Sequence, residues 1–350
     1  MNSAGATGRP RQDGVTRLSV AVIVPSYRRP APLERCLRAL YEQTLQPRRI
    51  VVAIRHGDSA TGLVVEAARE RMPHLSFVSV TEPGVIAAMA AAVAECDEDV
   101  IACTDDDATP RRRWIEGIEG YYGDGVGAVG GRDVIHDHDG SACDATSIDT
   151  LKTTVGRLSP VGRLVGNHHI GCGPAREVDV LKGVNMSMRR ELWQLNDKLK
   201  GSGAQVAWEV GICLRARAEG WRIIYDPALL VDHYPAERFD EDQRYGSSIH
   251  AQANAAWNEA YGLACYLPPV RLVVAGVVTS TVGFRTVPGP ALLPIVLAQA
   301  PKRAGFVLRL SYAVTLARVQ GVIAGVVERT GSRCLTSLAA WPVSGLARRR

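Results

Sequence analysis

Three consecutive carboxylates, Asp105, Asp106 and Asp107, follow a short apolar run at residues 100–104. Adjacent carboxylates repel one another, so a strand end that carries three of them is stable mainly where a cation or a group of hydrogen-bond donors lies beside it. Oxygen ligands suit Mg²⁺ or Mn²⁺, which usually engage one or two carboxylates together with substrate phosphates. The triplet therefore predicts a divalent-metal site, with a solvated acidic turn as the alternative.

Three further segments carry residues that could complete such a site. The first places Gly183 and Asn185 where the pattern predicts a strand that turns into a helix. The second opens an amphipathic helix with Trp208 and Glu209, where the helix dipole favours an ionised carboxylate by about 0.3–1 kcal/mol. The third ends in His233. Taken singly, a first-turn glutamate is typical of a cap and a lone histidine is typical of a structural residue.

The elements that must position these residues are predicted from hydrophobic periodicity. Short β-branched runs alternate with helical patterns through the first 135 residues, which is typical of parallel βαβ units. Strands are predicted at residues 19–24, 50–54, 75–80, 100–104 and 126–135, and helices at residues 31–43, 63–71, 85–94 and 110–121. Ligands of such sheets bind outside the carboxyl ends of the strands. The acidic triplet lies at such an end, and so do Pro25–Arg29 and Arg55–Asp58.

The second half of the chain has a less regular pattern. Residues 136–176 are rich in Gly, Asp, His and Ser, and their length predicts a functional loop. Strands are predicted at residues 177–183 and 221–225, and helices at residues 208–219 and 240–261.

The C-terminal segment differs in charge from the rest of the chain. From Leu263 onward there are eleven Lys and Arg against one acidic residue, a net charge of +10, whereas residues 1–262 carry −5. Such a basic, apolar tail predicts contact with an anionic membrane surface. Its charge-free stretches at residues 272–284 and 286–301 are shorter than the roughly 18–20 residues that span a bilayer, so they predict interfacial helices. The alternative is a helical subdomain packed on the catalytic core or on a second copy of the chain.

Within residues 305–327 of that tail, apolar residues recur at helical spacing. The stripe consists of Leu308, Tyr312, Leu316, Val319, Ile323 and Val326. Arg309 and Arg318 interrupt the segment.

Composition excludes several classes of protein. The hydrophobic fraction of 46% and the charged fraction of 22% are those of a globular protein. Eight scattered cysteines without paired spacing argue against a zinc ribbon and a disulfide scaffold. The few aromatic residues of the basic tail argue against nucleic acid as a partner. Residues 1–17 lack the apolar core of a signal peptide, so they predict a disordered leader on a cytosolic protein.

The order and spacing of these segments resemble the family 2 glycosyltransferases of the GT-A fold over residues 19–236. The matching segments are VIVPSYRR at 22–29, TDDDATP at 104–110, GVNMS at 183–187, WE at 208–209, CLR at 213–215 and GWR at 220–222. The resemblance implies an α/β domain at residues 18–239, with a mixed sheet flanked by helices. Residues 240–350 would form a helical, apolar and basic extension.

The resemblance further implies a metal site and a general base. Asp105, Asp107 and His233 match ligands of Mn²⁺ or Mg²⁺, which serves in this family as Lewis acid and template at the phosphates of a nucleotide-sugar. His233 stands 24 positions after Glu209, the spacing at which the family often has a histidine ligand. Glu209 matches the base that takes the proton of an acceptor hydroxyl, so that the anomeric configuration inverts in one displacement.

The substrate contacts implied by the resemblance lie in five segments. The nucleotide-sugar would lie against Pro25, Tyr27, Arg28, Asp58, Asp105 and Asp106. The loop between donor and acceptor would consist of Gly183, Asn185 and Trp208.

Two departures from the family pattern affect these assignments. The chain has Arg55-His56-Gly57-Asp58 where the family usually has Asp-Asp-Gly-Ser after the second strand, which alters the contacts to base and ribose. Val210 follows Glu209 where a second carboxylate is common, so Glu209 carries the assignment as base alone.

The expected activity is that of an inverting glycosyltransferase in cell-envelope or exopolysaccharide synthesis. Its partners would be a nucleotide-diphosphate-sugar donor, a glycan or lipid-linked acceptor, an anionic membrane surface at the inner face of the cell membrane, and a second copy of the chain. Two alternatives stand beside it. A nucleotidyltransferase would have a Gly-rich loop with a basic residue after the first strand, where this chain has Pro25-Ser26-Tyr27. A catalytically degenerate membrane-bound scaffold would not need Asp107, Glu209 and His233.

Overall fold

The computed structural model describes residues 18–137, 150–240, 248–283, 287–299 and 301–339. The strands are β1 (Val20–Ser26), β2 (Arg49–Arg55), β3 (Leu75–Val80), β4 (Val100–Cys103), β5 (Ala108–Pro110), β6 (Val126–Ile135), β7 (Arg157–Leu158), β8 (Leu164–Val165), β9 (Arg176–Glu177), β10 (Met186–Arg189) and β11 (Arg222–His233). The helices are α1 (Pro30–Tyr41), α2 (Ser59–Arg69), α3 (Val85–Ala94), α4 (Trp114–Tyr121), α5 (Trp208–Ala218), α6 (Ile249–Tyr266), α7 (Pro269–Thr281), α8 (Leu293–Gln299) and α9 (Ala304–Ala339).

A mixed sheet forms the centre of the described structure. Its strands are ordered β3-β2-β1-β4-β10-β6-β11-β5, and β9 pairs with β11. Strands β3, β2, β1 and β4 are mutually parallel, as the alternating pattern predicts. Helices α1, α2 and α4 cover one face and α3, α5 and α6 cover the other, so the central strands are apolar on both faces. The predicted α/β class, a mixed sheet flanked by helices, is confirmed.

The helix predicted at residues 110–121 begins four residues later, at Trp114. Ala108–Pro110 instead forms β5, which pairs antiparallel with the end of β11. Pro110 is tolerated there because β5 lies at the edge of the sheet, where a missing N–H leaves no ladder bond unmade. The pairing sets Ala108 opposite His233 and so brings the acidic triplet beside the histidine.

The strand predicted at residues 177–183 is wrong for most of its length, and the order of strand and helix after it is reversed. Only Arg176–Glu177 is a strand, residues 183–185 form a 3₁₀ turn, and the strand that follows is β10. Strand β10 lies antiparallel between β4 and β6. A short apolar run does not distinguish a strand from a buried irregular segment by periodicity, and here the long-range pairing decides.

Strand β11 also extends well past the predicted end at residue 225. It continues to His233, with an irregularity in its pairing to β6 between Asp226 and Leu230. The extension carries the histidine to the same edge of the sheet as the acidic triplet.

The C-terminal helices pack on the sheet domain. Helix α6 crosses α5 where two glycines meet, because a Cβ on Gly262 would lie 3.1 Å from the Cα of Gly211. Helix α9 lies along α6, and a Cβ on Gly321 would lie 2.6 Å from the carbonyl oxygen of Trp257. The Arg318 side chain is buried between these helices and donates to the Thr279 carbonyl at 3.1 Å. These contacts match the alternative in which the C-terminal segment is a helical subdomain packed on the core.

Three predictions for the loops and the C-terminal segment remain to be compared with the structure. The helix predicted at residues 240–261 begins at Ile249. The predicted leader at residues 1–17 and residues 138–149 of the loop predicted at residues 136–176 lie outside the described residues, and the described part of that loop contains β7, β8 and a 3₁₀ turn at His168–Ile170. Residues 301–331 form the one described helical segment that is long and apolar enough to cross a membrane, judged by length and composition.

Candidate active site

The acidic triplet and His233 come together at one end of the sheet. The triplet follows β4 directly, and β5 pairs with the last residues of β11. One ligand atom each from Asp105, Asp107 and His233 lies within 4.8 Å of the others. Asp107 and His233 are buried, at 2% and 5% exposure. Two carboxylates and one imidazole that converge in this way can surround a small cation.

The environment of His233 shows how this cluster is held. Its Nε2 lies 3.3 Å from Asp107 Oδ1, and its Nδ1 lies 3.7 Å from Asp133 Oδ2. Burial lowers the pKa of His233, but the contacts with Asp107 and Asp133 outweigh burial and raise it to about 9. Burial raises the pKa of Asp107, yet its interactions with His233 and Arg29 hold it well below the usual range. The contact between His233 and Asp107 thus favours the charged form of each group.

The residues fit a divalent cation. Neither ring nitrogen of His233 makes a hydrogen bond of good geometry within the described residues, although both are buried. An ion in this position would take one ring nitrogen of His233 and the carboxylates of Asp105 and Asp107 as ligands, and it would have further positions for phosphate oxygens. Mn²⁺ and Mg²⁺ both match this set of oxygen and imidazole ligands.

Asp106 is turned away from that cluster and is held by two donors. Arg29 Nη1 donates to Asp106 Oδ1 at 2.7 Å, and the Ser26 hydroxyl donates to Asp106 Oδ2 at 2.7 Å. Arg29 also lies 3.5 Å from Asp107 Oδ2. Burial raises the pKa of Asp106 to about 6, although Arg29 acts in the opposite direction. Arg29 is the compensating cation of the triplet.

Glu209 stands on the second residue of α5 and faces the turn before β10. Its Oε1 accepts the backbone N–H of Gly183 at 3.1 Å. Burial raises the pKa of Glu209 above the usual value for a glutamate, and the nearby charge of Asp105 acts in the same direction. A Cβ on Gly183 would lie 2.6 Å from Trp208 Cζ2 and 3.3 Å from Glu209 Oε1. Only glycine therefore allows this close approach.

Asn185 has a different position from its neighbours in the predicted loop. It is buried, and its Oδ1 accepts from Trp114 Nε1 at 2.8 Å. Its Nδ2 donates to the carbonyl oxygens of Arg132 and Leu229 at 3.1 and 2.9 Å. Asn185 thus braces β6 against the irregular part of β11, and its side chain is occupied by these contacts.

A cleft opens over the ends of β1, β2 and β3, next to the acidic triplet. It is lined by residues from these strand ends, from α3 and from the segments around residues 203 and 239, among them Pro25, Tyr27, Arg55, Glu82, Asp105, Asp106, Gly203 and Phe239. The Tyr27 ring lies under two guanidinium groups, Arg28 at 5.1 Å and Arg55 at 5.0 Å. An aromatic face flanked by cations at the strand ends is suited to an anionic ligand with a planar ring.

Asp58 lies beside that cleft, but its carboxylate accepts hydrogen bonds from backbone N–H groups. It caps α2 by accepting the Thr61 N–H at 3.3 Å, and it also accepts the Arg28 N–H at 2.5 Å. Arg28 has a φ of +56°, a left-handed conformation that side chains rarely adopt. Asp58 therefore fixes the turn that presents Tyr27 and Arg28.

Sequence reasoning placed Arg29 and Arg55 at ligand-binding strand ends without giving them a role, and it did not name Asp133 or Lys182 as site residues. A signal for Asp133 was present, because it is a carboxylate inside a buried strand. No signal identified its partner, since Lys182 lies 49 residues away and contacts Asp133 Oδ2 only in the folded chain.

Comparisons with known proteins identify the family and agree with the fold. The sequence model of the family described as glycosyltransferase like family 2 matches residues 17–246. No curated protein sequence matches the chain.

Three solved structures have similar folds. A mannosyltransferase from Pyrobaculum calidifontis in complex with GDP-Man and Mn²⁺ aligns with a TM-score of 0.53 and 18% identity, over 93% of this chain and 91% of that one. S. aureus TarS residues 1–349 in complex with UDP-GlcNAc aligns with a TM-score of 0.53 and 14% identity, over 90% and 92%. GalNAc-T7 with UDP, GalNAc and Mn²⁺ aligns with a TM-score of 0.51 and 12% identity, over 71% and 51%.

Proposed function

Because this chain belongs to the glycosyltransferase-like family 2 and has the GT-A fold, we propose that it moves a sugar from a nucleotide-diphosphate-sugar to an acceptor hydroxyl with inversion at the anomeric carbon. The observation that carries the proposal is the juxtaposition of two groups at one end of the sheet. Thr104, which directly precedes Asp105, donates through its hydroxyl to the Val184 carbonyl at 3.0 Å, and the N–H of the adjacent Gly183 holds Glu209 at 3.1 Å, so one turn joins the Asp105–Asp107–His233 cluster to Glu209.

The donor would lie in the cleft over the ends of β1 and β2. Tyr27 and Arg55 are placed to contact the nucleoside, and Pro25 and Asp106 form part of the wall below it. Asp105, Asp107 and His233 would hold Mn²⁺ or Mg²⁺, and the bound ion would neutralise charge on the departing diphosphate.

The acceptor would lie on the other side, above Gly183 and Trp208. Glu209 is held there by the Gly183 N–H, which donates to its Oε1 at 3.1 Å. Removal of the hydroxyl proton by Glu209 as the oxygen attacks gives inversion in one displacement, and such assistance is typically worth about 10²–10⁴-fold in rate. Val210 supplies no second base.

A donor screen tests this proposal. Thermal unfolding of the full chain would be followed with Mn²⁺ and a panel of UDP-, GDP- and dTDP-sugars. A donor at about 100 times its Kd should add about 2.7 kcal/mol to the free energy of unfolding. The anomeric configuration of the product, read by NMR, then tests inversion. A retained configuration would exclude single displacement, and a chain that releases pyrophosphate from a nucleotide and a sugar phosphate would favour the nucleotidyltransferase alternative.

We further propose that the C-terminal helices attach the enzyme to anionic lipid at the cytoplasmic face of the membrane. Helix α7 exposes Val270 at 78% and Val273 at 65%, and helix α9 exposes Tyr312 at 73% and Ile323 at 58%. We call these exposed apolar side chains of α7 and α9 the apolar tail surface. The stripe found in the sequence from Leu308 to Val326 lies on it, while other residues of α9 pack on α6.

The charge of the same segment indicates that anionic lipid binds the apolar tail surface. Lys302, Arg303 and Arg309 are exposed at the start of α9, within a segment of net charge +10. Each such cation contributes about 1 kcal/mol near an anionic surface, and burial of apolar side chains adds a part that salt does not screen. This placement suits a lipid-linked or cell-envelope glycan acceptor.

Vesicle flotation separates lipid from a second copy of the chain as the occupant. The protein should float with vesicles that contain phosphatidylglycerol and stay behind with pure phosphatidylcholine, and added salt should reduce flotation only in part. If light scattering instead shows a dimer and no flotation occurs, the apolar tail surface is an interface between copies.

A further inference from the structure

Asp133 is a fully buried carboxylate beside the proposed metal site. It lies in β6 opposite Val231 of β11, and His233 follows two residues later on the same face of that strand. Its Oδ2 lies 3.7 Å from His233 Nδ1 and accepts a hydrogen bond from Lys182 Nζ. A buried carboxylate is costly unless it is paired, so this placement requires partners that compensate its charge.

The side of the ring that Asp133 faces determines which nitrogen is free. Asp133 lies on the Nδ1 side, whereas Asp107 lies on the Nε2 side at 3.3 Å. With a cation among Asp105, Asp107 and Nε2, the charge of Asp107 would be directed to the ion, whereas Asp133 would remain a carboxylate that can only accept a hydrogen bond from Nδ1. Nε2 is then the nitrogen that offers its lone pair toward Asp105 and Asp107. Histidine ligands of metals commonly donate their other N–H to a carboxylate in this way.

Lys182 completes the arrangement from the acceptor side. It directly precedes Gly183, whose N–H holds Glu209, and its ammonium group contacts Asp133. The lysine compensates the charge of Asp133. The contact also links the turn beneath the acceptor to the histidine of the donor side.

We propose that Asp133 is a positioning residue, which fixes His233 as the tautomer with its proton on Nδ1 so that Nε2 binds the metal. The inference rests on the metal site proposed above. It adds an outer carboxylate to the three predicted ligands.

Binding of Mn²⁺ alone to the full chain, measured by EPR of the free ion, tests the inference without turnover. Asp133→Ala should raise the Kd for Mn²⁺ about 10–100-fold, and Asp133→Asn should raise it less because the amide oxygen still accepts from Nδ1. Asp232→Asn is the matched control. Asp232 neighbours His233 on β11 but is bound by Arg111 and His136, so this variant should keep the wild-type Kd within about twofold.

The tautomer itself can be read in the wild-type chain. Long-range ¹H–¹⁵N NMR of histidine-labelled protein with Mg²⁺ should show His233 protonated at Nδ1, and this proton should exchange with water faster in Asp133→Asn than in the wild type, a change that a merely structural role of Asp133 would not produce. A proton on Nε2 would overturn the inference even if Asp133→Ala fails to fold. Unchanged Mn²⁺ binding by folded Asp133→Ala would overturn the inference alone. A wild-type chain that binds no Mn²⁺ would remove the proposed metal site as well.

Discussion

The sheet domain and the C-terminal helices depart from ordinary protein architecture in opposite ways. The sheet domain buries charge: Asp106, Asp107 and Asp133 are at most 2% exposed, and His233 is 5% exposed. The helices α7 and α9 expose apolar side chains, Val270 at 78% and Tyr312 at 73%. Buried charges and contiguous exposed apolar side chains both cost free energy. Each therefore indicates a region that serves a function besides folding.

The comparison also shows which departures are structural. Glu98 is buried at the opposite end of β4 from the triplet, where Arg49 Nε donates to it at 3.2 Å. Its charge is compensated by that contact, and no cluster of metal-ligand geometry surrounds it in the described residues. Burial of charge alone therefore does not indicate a site. Convergence of several such groups on one point does.

The largest expected effect is that of Asp107→Ala. One carboxylate and one imidazole would hold the ion too weakly, so calorimetry with Mn²⁺ and a nucleoside diphosphate should show affinity reduced by more than about 100-fold. Glu98→Gln is the matched control, since it removes a buried charge far from the cluster. It should lower thermal stability and leave nucleotide affinity unchanged. Equal loss of affinity in both variants would mean that the effect comes from folding, and unchanged affinity in Asp107→Ala would contradict the metal assignment.

Glu209→Gln should lower turnover by about 10²-fold or more while donor binding stays nearly intact, since the amide keeps the shape but cannot accept a proton. Steady-state kinetics and calorimetry measure the two quantities. Glu219→Gln, at the other end of the same helix, is the control and should keep wild-type turnover. A loss below tenfold in Glu209→Gln would make Glu209 a helix cap and place the base elsewhere.

The double variant Val273→Glu/Ile323→Glu tests the other side of the comparison. It places two charges on the apolar tail surface without touching the packed face of α9, so vesicle flotation should fall by about tenfold or more. Leu63→Glu is the control, because Leu63 is 71% exposed on α2, outside that surface. Flotation that survives the double variant would move the lipid contact to another part of the molecule.

The smallest expected effect is a shift in the pH dependence of turnover. The base acts in its ionised form, so kcat should rise with pH through the pKa of Glu209. Burial raises that pKa, and the charge of Asp105 adds to the effect, so the acidic limb should lie above the usual pKa of a glutamate, 4.5. A pH–rate profile of the wild type measures the limb. The same limb should be absent from Glu209→Gln, and its persistence there would assign it to another group.

Much of the fold was predictable because local pattern determines local structure. The predicted bounds of β3, α3 and β6 coincide with the structure. The errors lie where long-range pairing prevails: Pro110 reads as a helix start but ends β5, and residues 177–183 read as a strand but lie mostly outside the sheet.

The candidate site was predictable only as separate segments. The triplet, Glu209 and His233 were named from their types, and a family resemblance joined them. The roles of Arg29 and Lys182 were not predicted, because the sequence around an arginine or lysine does not show which buried carboxylate it will contact. Asp58 and Asn185 show the converse, since both are held by backbone groups that sequence does not reveal.

The sequence by itself determined the types of most elements, the acidic triplet at the end of a buried strand, and a basic, apolar tail on an acidic body. These follow from periodicity and charge, which are properties of neighbouring residues. The tertiary structure decided that β10 enters antiparallel between β4 and β6, so that Gly183 and Glu209 lie close to Asp105. It also decided which face of α9 packs on α6 and which stays exposed. Both depend on contacts between residues distant in the chain, and local pattern does not specify such contacts.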